Sequence, residues 1–313
     1  MLRLLVLSAT NCLGTDGRHQ NTGAVAYIDH CYFYRSYSYS GNGGCIMIDS
    51  ISVNMIILDT TFNRCSCSVS GGVCFFVSTY SSMARICAYM CQANGYHDQF
   101  GFFQTNDSKD NEYYYLSVSK CAPENDIQRY NAMELSKGNQ KLINSNFSCN
   151  CAKYISSVYF RDTGSVQVLF SSFESNTASD SQCITFRSVS GQVMSSNLIK
   201  NKIGQTSGCI IHVDNSIISI KQTFFKENTQ NLFISKTSSI DITQSMVYHE
   251  QSLLGISIDY YNNSFMYGDP NFISHLSTHL CPTLVRTPYY SIHPNIAEKY
   301  SNSFLFIVFI FNS

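Results

Sequence analysis

The chain has 313 residues, with 20 Lys and Arg against 21 Asp and Glu, a formal net charge of −1. That balance excludes a global field able to gather nucleic acid or an anionic membrane surface. Charged residues are 13% of the total, well under the quarter usual for globular domains, and the length suffices for one large core held by a single stacked domain.

Residues 1–9 contain Arg3 and the run Leu4-Leu5-Val6-Leu7. The run is too short for the apolar core of a secretory signal and reads as a strand of an incomplete first turn. From Gly23 onward a phrase recurs. A small residue, usually Gly, precedes a short apolar strand, as in Gly44-Cys45-Ile46-Met47-Ile48, Gly72-Val73-Cys74-Phe75-Phe76, Gly101-Phe102-Phe103 and Gly208-Cys209-Ile210-Ile211. The anchors fall at Gly23, Gly44, Gly72, Gly101, Asn131, Tyr154, Gln182, Gly208 and Asn231, spaced from 21 residues (Gly23 to Gly44) to 30 (Gly101 to Asn131). Tyr154, Gln182 and Asn231 are placed by the strand that follows them. A second apolar strand lies between anchors, at 53–58, 84–88, 114–118, 166–170, 192–194, 217–220 and 240–242. Next comes an aromatic or aliphatic residue with Asn three positions later: Phe147 and Asn150, Phe173 and Asn176, Leu198 and Asn201, Phe225 and Asn228. Cys65 and Ala93 stand in the Asn slot of earlier units. The polar segment 106–111 swells one turn. The phrase fades near 250, where four of the five prolines follow (Pro270, Pro282, Pro288, Pro294), residues that cannot donate to a strand ladder.

A period of this size marks stacked units, none able to bury its apolar face alone. Regular Leu spacing and 3.6-residue stripes are both missing, which leaves a coil of β-strands. Equivalent positions then lie above one another at ~4.8 Å. Phe147, Phe173, Leu198 and Phe225 should stack inward. Gly44, Gly72, Gly101 and Gly208 should fill equivalent corners, where a side chain would collide. Asn should tolerate a left-handed turn and pair with Asn above and below.

Phe173-Glu174-Ser175-Asn176-Thr177-Ala178 resembles the Phe-x-x-Asn-x-Ala half of the repeat in polymorphic outer-membrane-type proteins. Asn42-Gly43-Gly44-Cys45-Ile46 resembles its Gly-Gly-Ala-Ile half, with Cys for Ala. Over about residues 20–250 the chain is thus similar to the right-handed parallel β-helix, or pectin-lyase-like, superfamily, and to repeat arrays of surface proteins in parasitic protists. The resemblance implies an all-β, single-stranded, right-handed parallel β-helix; the anchors set it at about eight or nine turns and the late prolines give it an irregular C-terminal cap. The boundaries expected are 1–250 for the repeats, 251–303 for an irregular cap or linker, and 304–313 for an apolar C-terminal segment. Within that last segment, 304–311 is too short to span a bilayer as a helix and reads as a truncated anchor or a capping strand.

Few residues present chemistry in a recognisable pattern. Of the fourteen cysteines, Cys45, Cys74, Cys183 and Cys209 border the anchor strands, and Cys65, Cys67, Cys149 and Cys151 form two Cys-x-Cys pairs. Without zinc spacing they read as small apolar filler, with inter-turn disulfides open to an exported chain. Asp107, Asp110 and Glu112 offer calcium oxygens but no fixed ligand spacing, so a solvated loop is expected. The superfamily hosts polysaccharide lyases and hydrolases, whose carboxylates must converge. Here Asp29, Asp49, Asp59, Asp162, Asp214 and Asp241 fall in different slots, and histidines such as His97, His212 and His249 have no matched acid. Tyrosines cluster at Tyr32, Tyr34, Tyr37 and Tyr39, at Tyr113-Tyr114-Tyr115 and at Tyr260-Tyr261, suited to sugar or protein contact. Asn106, Asn146 and Asn262 lie in Asn-x-Ser sequons. The expectation is a non-enzymatic repeat scaffold, at the cell surface or outside the cell, for adhesion or ligand binding. No residue is assigned a catalytic, cofactor or metal role, and no cofactor is expected. The partner would be a carbohydrate or protein on a long β-face, not nucleic acid, with membrane association through 304–313. A polysaccharide lyase or glycoside hydrolase is the alternative.

Overall fold

The fullest units of the repeat fold into four strands at successive sides of a coil. A computed structural model describes residues 4–6, 25–39, 41–95, 98–121, 131–229, 231–248 and 261–267, with 4–6, 248 and 261–267 by backbone alone. None of the described residues is helical. One turn consists of Ile155–Arg161, Ser165–Leu169, Ser172–Glu174 and Thr177–Ala178. We call the sides they build the anchor, middle, Phe and short faces. Each strand pairs parallel with its equivalent one turn on, Phe160 with Phe186, Val168 with Val193, Phe173 with Leu198 and Ala178 with Ile203.

The anchor face is an eight-stranded sheet from Ile46–Asp49 to Asn231–Lys236. Middle and Phe faces merge into a 17-stranded sheet, because Tyr80–Tyr89, Asp110–Ser119 and Ser239–Tyr248 run unbroken around the corner between them. The protein is an all-β parallel solenoid. Eight anchor rungs enclose seven complete turns, slightly fewer than the eight or nine expected. The register establishes parallel stacking, and not the right-handed sense that the resemblance implied. Leu4–Val6 pairs with Val25–Asp29, as an incomplete first turn should. The stack also passes the expected boundary at 250, since Tyr261–Tyr267 pairs with Ser239–Tyr248. The apolar run at 304–311 lies outside the described residues, none of which belongs to a helix long and apolar enough to cross a membrane.

Alternation along each strand sends one set of side chains inward. On the Phe face Phe33, Phe62, Ala88, Val118, Phe147, Phe173, Leu198 and Phe225 form one buried column. Its rings lie nearly parallel, Phe33 on Phe62 at 5.1 Å and Phe147 on Phe173 at 5.5 Å between centroids. Burying each ring contributes about 1.5–3 kcal/mol. The expected inward stack is present.

The corners depart from expectation in an informative way. Asn150, Asn176, Asn201 and Asn228 are not the left-handed residues; their predecessors Cys149, Ser175, Lys200 and Glu227 are, at φ 52–56°. The Asn side chains instead build the expected amide ladder. Asn150 Nδ2 donates to Asn176 Oδ1 (3.0 Å), Asn176 to Asn201 (3.1 Å) and Asn201 to Asn228 (3.1 Å). Each Nδ2 also donates to a carbonyl of the preceding turn, Phe147 O in the case of Asn176 (2.8 Å). The ladder's continuation toward the N-terminus is Cys121, Cys91 and Cys65, followed by Ser36. Ala93, expected in the Asn slot, pairs with Cys67 on the short face.

Only Gly44 and Gly72 of the four anchor glycines are equivalent. Strand pairing aligns Gly101 with Cys74, two positions further into the strand, while Gly208 precedes Cys209, the partner of Gln182. A Cβ on Gly72 would lie 2.1 Å from Gln99 O, and one on Gly44 2.2 Å from Gly72 O. These two are therefore required by close backbone approach.

Candidate functional site

Because the anchor strands stack in register, their outward side chains form columns along the coil axis. One column runs Met47, Phe75, Phe102 and then Glu134, Tyr159, Thr185 and His212. Phe75 and Phe102 stack at 5.0 Å, 16° from parallel, half-buried on the outer surface. The next column carries Arg161, Arg187, Asp214 and Lys236 on consecutive turns. One long face thus begins apolar and aromatic and ends charged.

Where the column changes character, two carboxylates meet, both buried although Glu134 stands on the outer side of its strand. Asp98 is 2% exposed and Glu134 5%. Asn131 lies between them, its Nδ2 donating to Asp98 Oδ1 (3.2 Å) and Glu134 Oε2 (3.5 Å). Ser70 Oγ donates to Asp98 Oδ2 (3.3 Å), and the Arg161 guanidinium reaches Glu134 Oε1 at 2.8 Å. Burial pushes the Glu134 carboxyl up to about 8, Asp98 adds to the shift, and Arg161 pulls against it. The network continues through Arg187, which contacts Asp214 at 3.7 Å and hydrogen-bonds the Tyr159 phenol, itself raised by burial. His212 is held below its usual range by burial, so it stands neutral at pH 7.

The expectation that carboxylates stay scattered fails at Asp98 and Glu134. The two residues occupy different slots of the repeat, Asp98 in the turn before a strand and Glu134 inside the next strand. Buried as they are, with a guanidinium on one and an amide between, they form a charge cluster. A general acid must touch its substrate.

The other candidates resolve into ordinary roles. Asp110 and Glu112 both face Lys141 Nζ, at 3.7 and 3.2 Å, and Asp107 faces Lys137 at 4.0 Å. Lysine ammonium groups thus offset the charge of the swollen turn. A hydrogen bond from Asn139, and then Lys141, hold Asp110 below the usual carboxylate range. His30 does have an acid, Asp29, at 2.6 Å. Asp29, His30 and Asp59 bring one ligand atom each within 4.8 Å, yet Arg85 already bridges both oxygens of Asp59. His97 and His249 lie outside the described residues. Cys67, Cys74, Cys183 and Cys209 are buried free thiols, with Cys67 and Cys183 raised by burial to about 11. Protonated thiols suit the filler role; Cys87, in contrast, is disulfide-bonded. Asn146, a sequon residue, is 7% exposed and inside a strand. Tyr32 and Tyr34 stack side by side on the surface at 6.2 Å, and Tyr37 meets Tyr39 edge-on at 4.4 Å.

In comparisons with protein-family models, with curated proteins and with solved structures, the chain matches none.

Proposed function

We propose that this protein is a non-enzymatic solenoid scaffold of the surface or secreted type, whose anchor face binds an extended glycan or peptide along the coil axis. The observation that carries the proposal is the pair of in-register outward columns, with the Phe75–Phe102 ledge in one and, further along the axis, Tyr159 beside Arg161 and Arg187 of the other. Flat aromatic surface receives the apolar face of a sugar or a side chain, and the charged part fixes orientation. Kinship with the right-handed pectin-lyase-like superfamily, a cell-surface location and a membrane contact through 304–313 belong to the same proposal, supported by the repeat phrase.

The test is binding of the purified chain to glycan and peptide arrays, followed by Phe75→Ala with Phe102→Ala. Hits that weaken at least tenfold in this variant, with an unchanged β-sheet spectrum, support the reading. Hits that survive unaltered, or an absence of hits, overturn it. The alternative, hydrolysis or elimination on a polysaccharide, draws on the Asp98–Glu134 pair. Viscosity loss in polygalacturonate that disappears in Glu134→Gln would establish it over the scaffold.

A further inference from the structure

A second surface, on a different side of the coil, supports an inference independent of the anchor-face reading. In the first five turns the described residues of the Phe face, and the left-handed residue that follows each of its strands, include no carboxylate. Residues 31–39, 61–68, 86–95, 116–121 and 145–153 contain no Asp or Glu, although in the fourth unit Glu124 and Asp126 follow in the sequence, outside the described residues. Within this region Arg35, Arg64, Met90 and Lys120 occupy one corner column. Their backbone N–H groups donate to the equivalent carbonyls one turn on, Asn63, Tyr89, Ser119 and Ser148, at 2.9–3.1 Å. All four are left-handed, at φ 52–56°, and all four point to solvent.

Several cations elsewhere on the coil meet acids: Arg85 meets Asp59, Lys141 meets Glu112 and Lys200 meets Glu227. No carboxylate among the described residues pairs with Arg35, Arg64 or Lys120. Two of the three rest on aromatic rings, the Arg35 guanidinium 5.0 Å from the Tyr34 centroid and the Lys120 ammonium 5.8 Å from that of Tyr89. Three rungs at ~4.8 Å place these three charges along ~14 Å of the axis. Isolated cations in this arrangement are mutually repulsive and gain most from a shared polyanion.

We propose that this ridge binds a linear sulfated glycan laid along the coil axis. The cations stand on a convex corner, not in a groove, so the ligand must bring anionic groups that project from its chain, as sulfate esters do. A guanidinium fork can meet such a group with two parallel hydrogen bonds. The polar tips beside the ridge suit sugar hydroxyls, with Asn63 Nδ2 on Tyr32 Oη at 3.1 Å and Asn94 Nδ2 on Tyr37 Oη at 3.5 Å. A single-stranded nucleic acid would need open aromatic faces for its bases. Tyr34 lies between Tyr32 and Arg35, and Tyr89 lies under Lys120.

The test uses the full chain on immobilised heparin, with Arg35→Gln, Arg64→Gln and Lys120→Gln combined. Gln222 and Gln244 already hold φ 48° and 51° at the neighbouring corner, so Gln is compatible with the backbone. A control of equal charge removes Lys109, Lys202 and Lys221 in the same way. The expected result is at least a tenfold loss of affinity in the ridge variant, less than twofold in the control, weakening with salt, and no competition by desulfated heparin. The inference is overturned if the native chain is not retained, if both variants lose equally, if desulfated heparin competes as well as heparin, or if single-stranded DNA competes better. Failure here would leave the anchor-face arrays and the Phe75, Phe102 variant to be judged separately.

Discussion

Glu134 shows how far one side chain's environment can move its chemistry. Taken from water, placed near Asp98 and only partly compensated by Arg161, its carboxyl titrates at about 8. In an unfolded chain it would titrate at its ordinary value of 4.5. Between those two values the folded state holds more protons than the unfolded one, so stability falls as pH rises through this window. The contribution is complete below the unfolded value and is lost as pH passes the folded one. Glu134→Gln mimics the protonated form at every pH. It should therefore cost little at pH 6, flatten the decline between about pH 5 and 8, and make the variant more stable than the native chain at pH 9. Denaturant melts at those three pH values check this. An unchanged slope would mean Glu134 is ionised throughout, with Arg161 governing it. No motif pointed to this residue. Its neighbour Asp98 lies 36 positions away in another slot of the repeat, and their meeting depends on how one turn packs over the next.

Strand register decides which small residues the fold requires. Gly44, Gly72, Gly101 and Gly208 look alike in sequence because each precedes or opens an apolar run. Backbone pairing ranks them differently. At Gly72 an added methyl meets backbone, Gln99 O at 2.1 Å and Gln92 C at 2.4 Å. At Gly101 it meets the Phe103 ring at 2.3 Å, a side chain able to shift at some cost. Gly72→Ala should thus exceed the ~1–3 kcal/mol usual for an overpacked core, with Gly101→Ala milder. Thermal melts of the two variants give the order, and a Gly101→Ala more damaging than Gly72→Ala would contradict the pairing of Gly101 with Cys74. The Phe and Asn positions were legible in the sequence because ladders demand the same residue type on each turn. The left-handed corners were not. Arg35, Tyr115, Phe170 and Glu227 all adopt that conformation, and their side chains have only solvent in common. The N–H to side-chain bonds that follow them hold the backbone, as when Asn176 N donates to Asn201 Oδ1 at 3.0 Å.

Across the whole molecule the two halves of the coil are joined differently along one edge. From Asn150 to Asn228 each rung is tied to the next by an amide that both donates and accepts. From Cys65 to Cys121 the same position holds thiols. Cys65 and Cys91 donate to Phe33 O and Phe62 O at 3.5 Å, copying the amide's donor arm. A sulfur is a weak acceptor for the N–H of the turn below. In a solenoid each turn contacts only its neighbours, so local differences in coupling persist as differences in opening free energy. Native-state hydrogen exchange should therefore show stronger protection for the N–H groups of Asn150, Asn176 and Asn201 than for those of Cys65 and Cys91. Cys121→Asn would extend the ladder by one rung. Its oxygen would face the Cys91 N–H, and its amide would reach Ala88 O, the carbonyl that the Cys121 thiol now meets at 3.9 Å. One added buried hydrogen bond contributes about 1 kcal/mol, so the variant should melt higher and slow exchange at Cys91 specifically. Uniform protection along the column, or a variant that gains stability with no change at Cys91, would show that the thiols already couple the turns as well as the amides do.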